Sequence, residues 1–249
     1  MLELQHVSFE VNEEGQDIGI LHDISFKIPD GHLTVITGPN GGGKSTMAKL
    51  IAGIIKPTSG KILFNGQDIT DMSITDRARA GIGFAFQQPV RFKGLQVFDL
   101  IRLATGTKLS SVDACKYLSA VGLCARDYIN REVNASLSGG ELKRIEIATV
   151  LAKASQLSVF DEPEAGIDLW SFQNLIKVFE GMRKEIKDSS ILIISHQERI
   201  LNIADEIIVL SDGKLVEHGP KEEILPKLAG TMSAVKRCEK ERALEGGEE

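Results

Sequence analysis

Nine consecutive residues have the types and order needed to hold a phosphate: Gly38-Pro39-Asn40-Gly41-Gly42-Gly43-Lys44-Ser45-Thr46. They fit the pattern G-x-x-x-x-G-K-[ST]. The glycines let the backbone curl until several N–H groups point at one anion. A helix opening at the loop's end adds free amides and the positive end of its dipole. Lys44 is then placed to reach the β- and γ-phosphates of a nucleoside triphosphate, and Ser45 to ligate Mg²⁺.

Four further stretches carry groups that suit such a ligand. Asp161 and Glu162 close the apolar run Leu157-Ser158-Val159-Phe160. Two carboxylates at the end of a buried strand are costly without a cation. Asp161 is therefore expected to organise Mg²⁺, through water, and Glu162 to polarise an attacking water. Ser138, Gly139 and Gly140 stand before Glu141 at the start of a helical run, where a hydroxyl and free amides can bind a second phosphate. That phosphate need not belong to the loop of the same chain. Gln87 ends the run Phe84-Ala85-Phe86, and its amide offers both a donor and an acceptor to Mg²⁺ or water; Gln88 is the one-residue alternative. His196 follows Ile191–Ser195, where an imidazole can hydrogen-bond a γ-phosphate and hold Glu162 and water in line.

The elements that position these groups are legible as patterns. Leu33–Thr37 reads as a buried strand leading into the loop, and Met47–Ile55 as the helix leaving it. Residues 1–28 alternate apolar and polar, as antiparallel strands do, with a turn at Asn12–Asp17. Lys61–Phe64 reads as a strand before an Asn65-Gly66 hairpin turn, and residues 73–80 as a short surface helix. Ile82–Phe86, Ile191–Ile194 and Ile207–Leu210 are further buried strands. Between residues 90 and 150 strand-like runs vanish and helical spacing takes over. A helix follows from about residue 169 to 187, and Asp212-Gly213 marks a last hairpin into Lys214–Glu217. Strands alternating with helices predict a mostly parallel sheet with its ligand at the strands' carboxyl ends.

Gly38–Thr46 taken with Leu137-Ser138-Gly139-Gly140-Glu141 resembles the ABC ATPase family, whose signature reads LSGGQ or LSGGE. Gln87, Asp161-Glu162, Ala165-Gly166-Ile167-Asp168 and His196 fall in that family's order around them. The resemblance covers nearly the whole chain. It implies an α/β fold, a P-loop NTPase core of the RecA-like type, with a mostly parallel sheet, an N-terminal antiparallel β subdomain and an inserted α-helical subdomain. Residues 1–249 would form a single domain: a catalytic core at 1–87 and 151–230, a helical insert at 88–150 and a charged tail at 231–249. It implies ATP hydrolysis by Lys44, Gln87, Glu162 and His196, with Mg²⁺ held by Ser45, Gln87 and Asp161. It also implies a head-to-tail homodimer in which Ser138, Gly139 and Gly140 cap the partner's ATP and Asp168 crosses the interface. One feature departs from the family: Val11 stands where an aromatic usually stacks on adenine, so base selectivity is expected to be loose, and Phe9 is expected in the core.

Within the family, Glu141, Lys143-Arg144 and Glu146, with Phe84-Ala85-Phe86-Gln87-Gln88-Pro89-Val90, resemble the SufC branch, the ATPase of iron–sulfur cluster assembly. That resemblance implies a SufB- or SufD-like scaffold partner docking near residues 88–102, where Val90, Phe92, Leu95, Val97 and Phe98 interleave with Arg91 and Lys93. Glu162-Pro163-Glu164-Ala165-Gly166-Ile167 instead keeps a transporter-like proline. The alternative partner is a membrane permease.

Bulk properties set limits. A net charge of −6 and a pI near 5.5 argue against non-specific nucleic-acid binding. Cys115, Cys124 and Cys238 show no paired spacing, which suits a reducing compartment. No secretory leader is legible at the N-terminus, and no apolar run approaches about 18 residues, so a cytoplasmic location without membrane insertion is expected. The tail from residue 236 is expected to be a frayed, charged helix with Cys238 exposed.

Overall fold

The computed structural model describes residues 1–13, 15–185 and 189–228; the charged tail and Cys238 lie outside them. The chain opens with β1 (Leu2–Glu13), β2 (Gln16–Ile28) and β3 (Leu33–Thr37), then α1 (Lys44–Ala52), β4 (Ser59–Phe64), β5 (Gln67–Asp68), α2 (Ile74–Arg79) and β6 (Ile82–Ala85). Four helices follow: α3 (Val97–Thr105), α4 (Ser111–Ala120), α5 (Ala125–Tyr128) and α6 (Gly139–Lys153). The last third contains β7 (Leu157–Asp161), α7 (Leu169–Glu185), β8 (Ser190–Ile194), α8 (Glu198–Ile203), β9 (Glu206–Ser211) and β10 (Lys214–Pro220).

The strands make two sheets. One is antiparallel, in the order β2-β1-β4-β5; the other is six-stranded, in the order β10-β9-β3-β8-β7-β6. Every pairing from β9 to β6 is parallel, and only β10 runs antiparallel, at the edge. β3, β7 and β8 are buried at every position, as apolar runs covered on both faces must be. Their alternation still matters. Leu33, Val35, Ile191 and Ile193 face one apolar layer, shared with Val97, Ile101 and Leu118 of the helical segment. Ile36, Leu192 and Ile194 face a second layer, shared with Leu2, Leu4 and Ile24 of the antiparallel sheet. The central sheet thus welds the helices to the antiparallel strands.

Three readings of the sequence are corrected. The helix expected at Met47–Ile55 begins at Lys44 and stops at Ala52, because Gly43 and Gly53, both in left-handed backbone, bracket it. Helix α2 is not wholly a surface helix: Arg77 has no exposed surface and donates to the carbonyls of Leu50, Ile51 and Thr70, capping the end of α1. Helix α8, launched by Gln197, was not expected at all.

Candidate functional site

The loop after β3 is shaped by contact with a distant strand. Gly38 has a φ of 136°, and a Cβ there would lie 1.9 Å from the carbonyl oxygen of Leu210 at the end of β9. Only glycine fits. Gly43, at φ 91°, is pressed against Leu21 in the same way and turns the chain into α1. Lys44, Ser45 and Thr46 therefore form the first turn of a helix, where the backbone amides have no intrahelical partner. Lys44 is buried, and its ammonium donates to the carbonyls of Gly38 and Pro39 at 2.9 and 2.8 Å. Burial lowers its pKa, while Glu162 and Asp161 work the other way.

Ser45 donates to Asp161 Oδ1 at 3.0 Å, joining the loop to the end of β7. Asp161 is 2 % exposed, and burial pushes its carboxyl pKa up. The next residue, Glu162, has a φ of 44° and donates its N–H to the carbonyl of Ile194 at 3.0 Å. That strained turn sends its side chain towards Gln87, whose Nε2 donates to Glu162 Oε2 at 2.7 Å. Ile20, Asn40, Gly41, Gly43, Lys44, Ser45, Thr46 and Glu162 line one open cavity of about 310 Å³. Lys44, Ser45 and Glu162 thus share the cavity, while Asp161 and Gln87 do not line it and join it through their hydrogen bonds to Ser45 and Glu162. Ile20 is the apolar wall of this cavity, and Phe9 packs against the antiparallel-sheet core instead.

Other expected residues sit elsewhere. Ser138, Gly139, Gly140, Asp168 and His196 do not line this cavity. His196 stands exposed after β8, with Gln197 Nε2 at 3.4 Å from its ring, while Glu162 takes its hydrogen bond from Gln87. Asp168 accepts from the N–H groups of Trp170 and Ser171, both at 3.0 Å, capping α7; the Ser171 contact holds its carboxyl below the usual range. Ser138 caps α6 reciprocally: its Oγ accepts from the Glu141 N–H at 3.2 Å, and Glu141 accepts from the Ser138 N–H at 2.6 Å. The amides of Gly139 and Gly140, first in the helix, have no intrahelical acceptor. A Cβ on Gly140 would lie 3.2 Å from the Gly166 carbonyl oxygen, so the start of α6 and the Ala165–Asp168 loop share one surface.

Glu141 also accepts from the Tyr128 hydroxyl at 2.5 Å. That bond, then the Ser138 amide, lowers its pKa from the ordinary 4.5 to about 2. The folded-state pKa is depressed, so the stabilisation is complete above about pH 4.5 and drains away as the pH falls towards 2. Glu141→Gln keeps an acceptor for the Ser138 N–H but loses the charge, and is expected to lower the Tm by about 2–4 °C near neutrality, the effect of losing about 1 kcal/mol of charge-assisted hydrogen bonding. The gap between the two proteins should close on acidification, and melting curves across pH 2–7 check it. A gap that stays constant at all pH values would refute the assignment.

Sequence reasoning gave no role to three charged residues near the site. Lys143 and Glu146 of α6 meet the backbone at Phe86. Glu164 accepts from Ser195 Oγ at 2.6 Å, and Ser195 in turn accepts from the Gln197 N–H at 3.0 Å, which fixes the backbone around His196. Only the Asp-Glu-Pro-Glu run hinted at the last of these.

The glycine loop after the first strand of a parallel sheet, with a hydroxyl meeting a strand-end carboxylate, defines a P-loop nucleotide-binding protein. The sequence profile of the ABC transporter family matches residues 21–165. The chain belongs to that family. It is 37 % identical over 213 residues to the "uncharacterized ABC transporter ATP-binding protein MJ0035" of Methanocaldococcus jannaschii, covering 82 % of this chain and 84 % of that protein. It is 33 % identical to the "sulfate/thiosulfate import ATP-binding protein CysA" of Synechocystis, covering 86 % of this chain and 60 % of that one. Among solved structures it is similar to cbiO1 of Clostridium perfringens, part of the ABC transporter complex cbiONQ, with a TM-score of 0.73, 27 % identity and 98 % of each chain covered. Among the described residues no helix is long and apolar enough to cross a membrane.

Proposed function

We propose that the chain is an ATP-hydrolysing subunit that works as a head-to-tail pair and drives a membrane permease. The observation that carries the chemistry is that Lys44, Ser45 and Glu162 line one cavity, with Asp161 hydrogen-bonded to Ser45 and Gln87 to Glu162 behind them. The donor set suits Mg²⁺: a hydroxyl, a buried carboxylate and an amide, all oxygen ligands, with Asp161 destabilised by burial when no cation meets it. Ser45, Asp161 and Gln87 would hold the ion, which supplies neutralisation of phosphate charge when bound. Lys44 leaves the Gly38 and Pro39 carbonyls to meet the β- and γ-phosphates. Gln87 orients Glu162, and Glu162 takes a proton from the attacking water while His196 hydrogen-bonds the γ-phosphate.

The pairing rests on what one chain leaves incomplete. Its cavity is open, and its phosphate-ready helix start at Ser138–Gly140 lies outside it. A second copy, turned head to tail, supplies that helix start to the γ-phosphate, and the adjoining loop brings Asp168 to the interface. Leu169 and Trp170, 61 % and 77 % exposed just after Asp168, would then be covered. Trp170 is the chain's one tryptophan, so its emission reads this event alone. MgATP added to the Glu162→Gln protein is expected to shift the emission to the blue. An unshifted spectrum from a preparation that elutes as a dimer would exclude the start of α7 from the interface.

The partner reading rests on relatives and on a groove. The names of MJ0035, CysA and the cbiONQ subunit favour a membrane permease over a scaffold. Phe84, Phe86, Val90, Phe92, Leu100 and Leu142 line a groove of about 230 Å³ beside Gln87, with Val90 and Phe92 exposed at 45 % and 41 %. Of the residues expected to dock a partner near 88–102, Val97 is instead fully buried and Phe98 packs on the core. The second reading, a SufB- or SufD-like scaffold in iron–sulfur assembly, is favoured by Glu141, Lys143, Arg144 and Glu146. Native purification decides between them: a permease in the membrane fraction supports the first, a soluble scaffold complex the second. Magnesium-dependent phosphate release tests the activity common to both, and its absence would leave a non-hydrolysing ATP switch.

A further inference from the structure

Past the last rungs of the parallel ladder, two strand ends must still be held together. β6 and β7 pair from Ile82↔Leu157 to Ala85↔Phe160, and the ladder stops there. Gln87 and Glu162, the two side chains that meet at 2.7 Å, both lie beyond it. Beside that contact, one buried side chain also spans the gap. Lys143 Nζ donates to the carbonyl of Phe86, and to those of Gln87 and Asp161, both at 3.4 Å. Its partner Glu146, one turn along α6, accepts from the Phe86 N–H at 2.9 Å and stands 3.5 Å from the Lys143 ammonium. Both polar groups of the Phe86 backbone are thus held by α6.

The cost of this arrangement argues that it does something. Lys143 has no exposed surface, and its neighbours on α6, Leu142 and Ile145, are apolar. A leucine or methionine there would pack without desolvating a charge. We propose that Lys143 and Glu146 are positioning residues for hydrolysis: they fix the backbone from which the Gln87 amide reaches Glu162. The proposal rests on the ATPase reading of the site. Neither residue lines the phosphate-loop cavity, so their loss should affect nucleotide affinity far less than it slows hydrolysis.

The test uses the full chain with Lys143→Met, Lys143→Arg and Glu146→Gln. Steady-state phosphate release gives kcat and KM, and titration with a fluorescent ATP analogue counts the sites that bind nucleotide. Lys143→Met is expected to lose about tenfold to a hundredfold in kcat per binding site, the loss that goes with a misplaced group, with KM within about twofold of wild type. Lys143→Arg, which still donates to the carbonyls, should recover most of it. Glu146→Gln keeps an acceptor for the Phe86 N–H but not the charge, and should fall between. A kcat per site in Lys143→Met within about twofold of wild type overturns the proposal. If Lys143→Met does not fold, Glu146→Gln decides by the same criterion. No phosphate release from the wild type would overturn the ATPase reading first, a result distinct from either variant's.

Discussion

Glu162→Gln should leave ATP binding intact and slow hydrolysis about 10²- to 10⁴-fold, the range that a general base contributes. The carboxamide oxygen can still accept the Gln87 hydrogen bond that Glu162 accepts at 2.7 Å, so the local geometry survives. What is lost is the capacity to take a proton from water. Turnover should stop after closure and before reopening, so the ATP-bound variant is expected to elute as a dimer. Phosphate release and a sizing column read the two effects separately. Turnover within about tenfold of wild type would remove Glu162 from the mechanism. A slow variant that stays monomeric with ATP would remove the head-to-tail pair, or make closure depend on the partner.

Lys44→Ala should fail earlier, at binding. The ammonium donates to the Gly38 and Pro39 carbonyls, which holds it inside the phosphate loop. A charge-assisted contact of about 1.5–3 kcal/mol corresponds to about a ten- to hundredfold loss in affinity. The same charge meets the developing negative charge on the transferring group, where removing one such donor costs about a further 10²- to 10³-fold in kcat. The two effects together should leave no measurable steady-state hydrolysis. Because Asp161 and Glu162 lie near Lys44, its removal takes away one cation that offsets their charge, and Mg²⁺ alone should become a stronger stabiliser of the variant than of wild type. Retained hydrolysis in Lys44→Ala would sink the phosphate-loop assignment.

Much of the core was legible because its signals are local. The strand, glycine turn and helix around residues 33–52 announce themselves within a few turns of chain, and the apolar runs at 157–160, 191–194 and 207–210 are strands in the structure. Gln87 was preferred to Gln88 on the strand pattern, and Gln87 is the one that reaches Glu162. What escaped were buried charges. Arg77 falls in the stretch read as a surface helix, because charge in a helix normally faces water, and Lys143 stands out in the sequence only for its place beside the signature, which assigns it no burial. Their burial is set by carbonyls far along the chain, Leu50 for Arg77 and Phe86 for Lys143, which no periodicity contains. The partner surface was half legible for a related reason. Alternating apolar residues from Val90 to Phe98 do not say which of them point outward, and the turn before α3 sends Val97 in and leaves Val90 and Phe92 out.

The contact between Gly38 and the Leu210 carbonyl has a bearing on synthesis. β3 is completed on one side by β8 and on the other by β9, and its first residue, Leu33, donates to Asp205, 172 positions away. A ribosome releases the phosphate loop long before it releases the strand that gives the loop its shape. A chain still in production therefore carries the glycines without a pocket to show for them. Nucleotide then stabilises copies in which β9 has already docked beside β3.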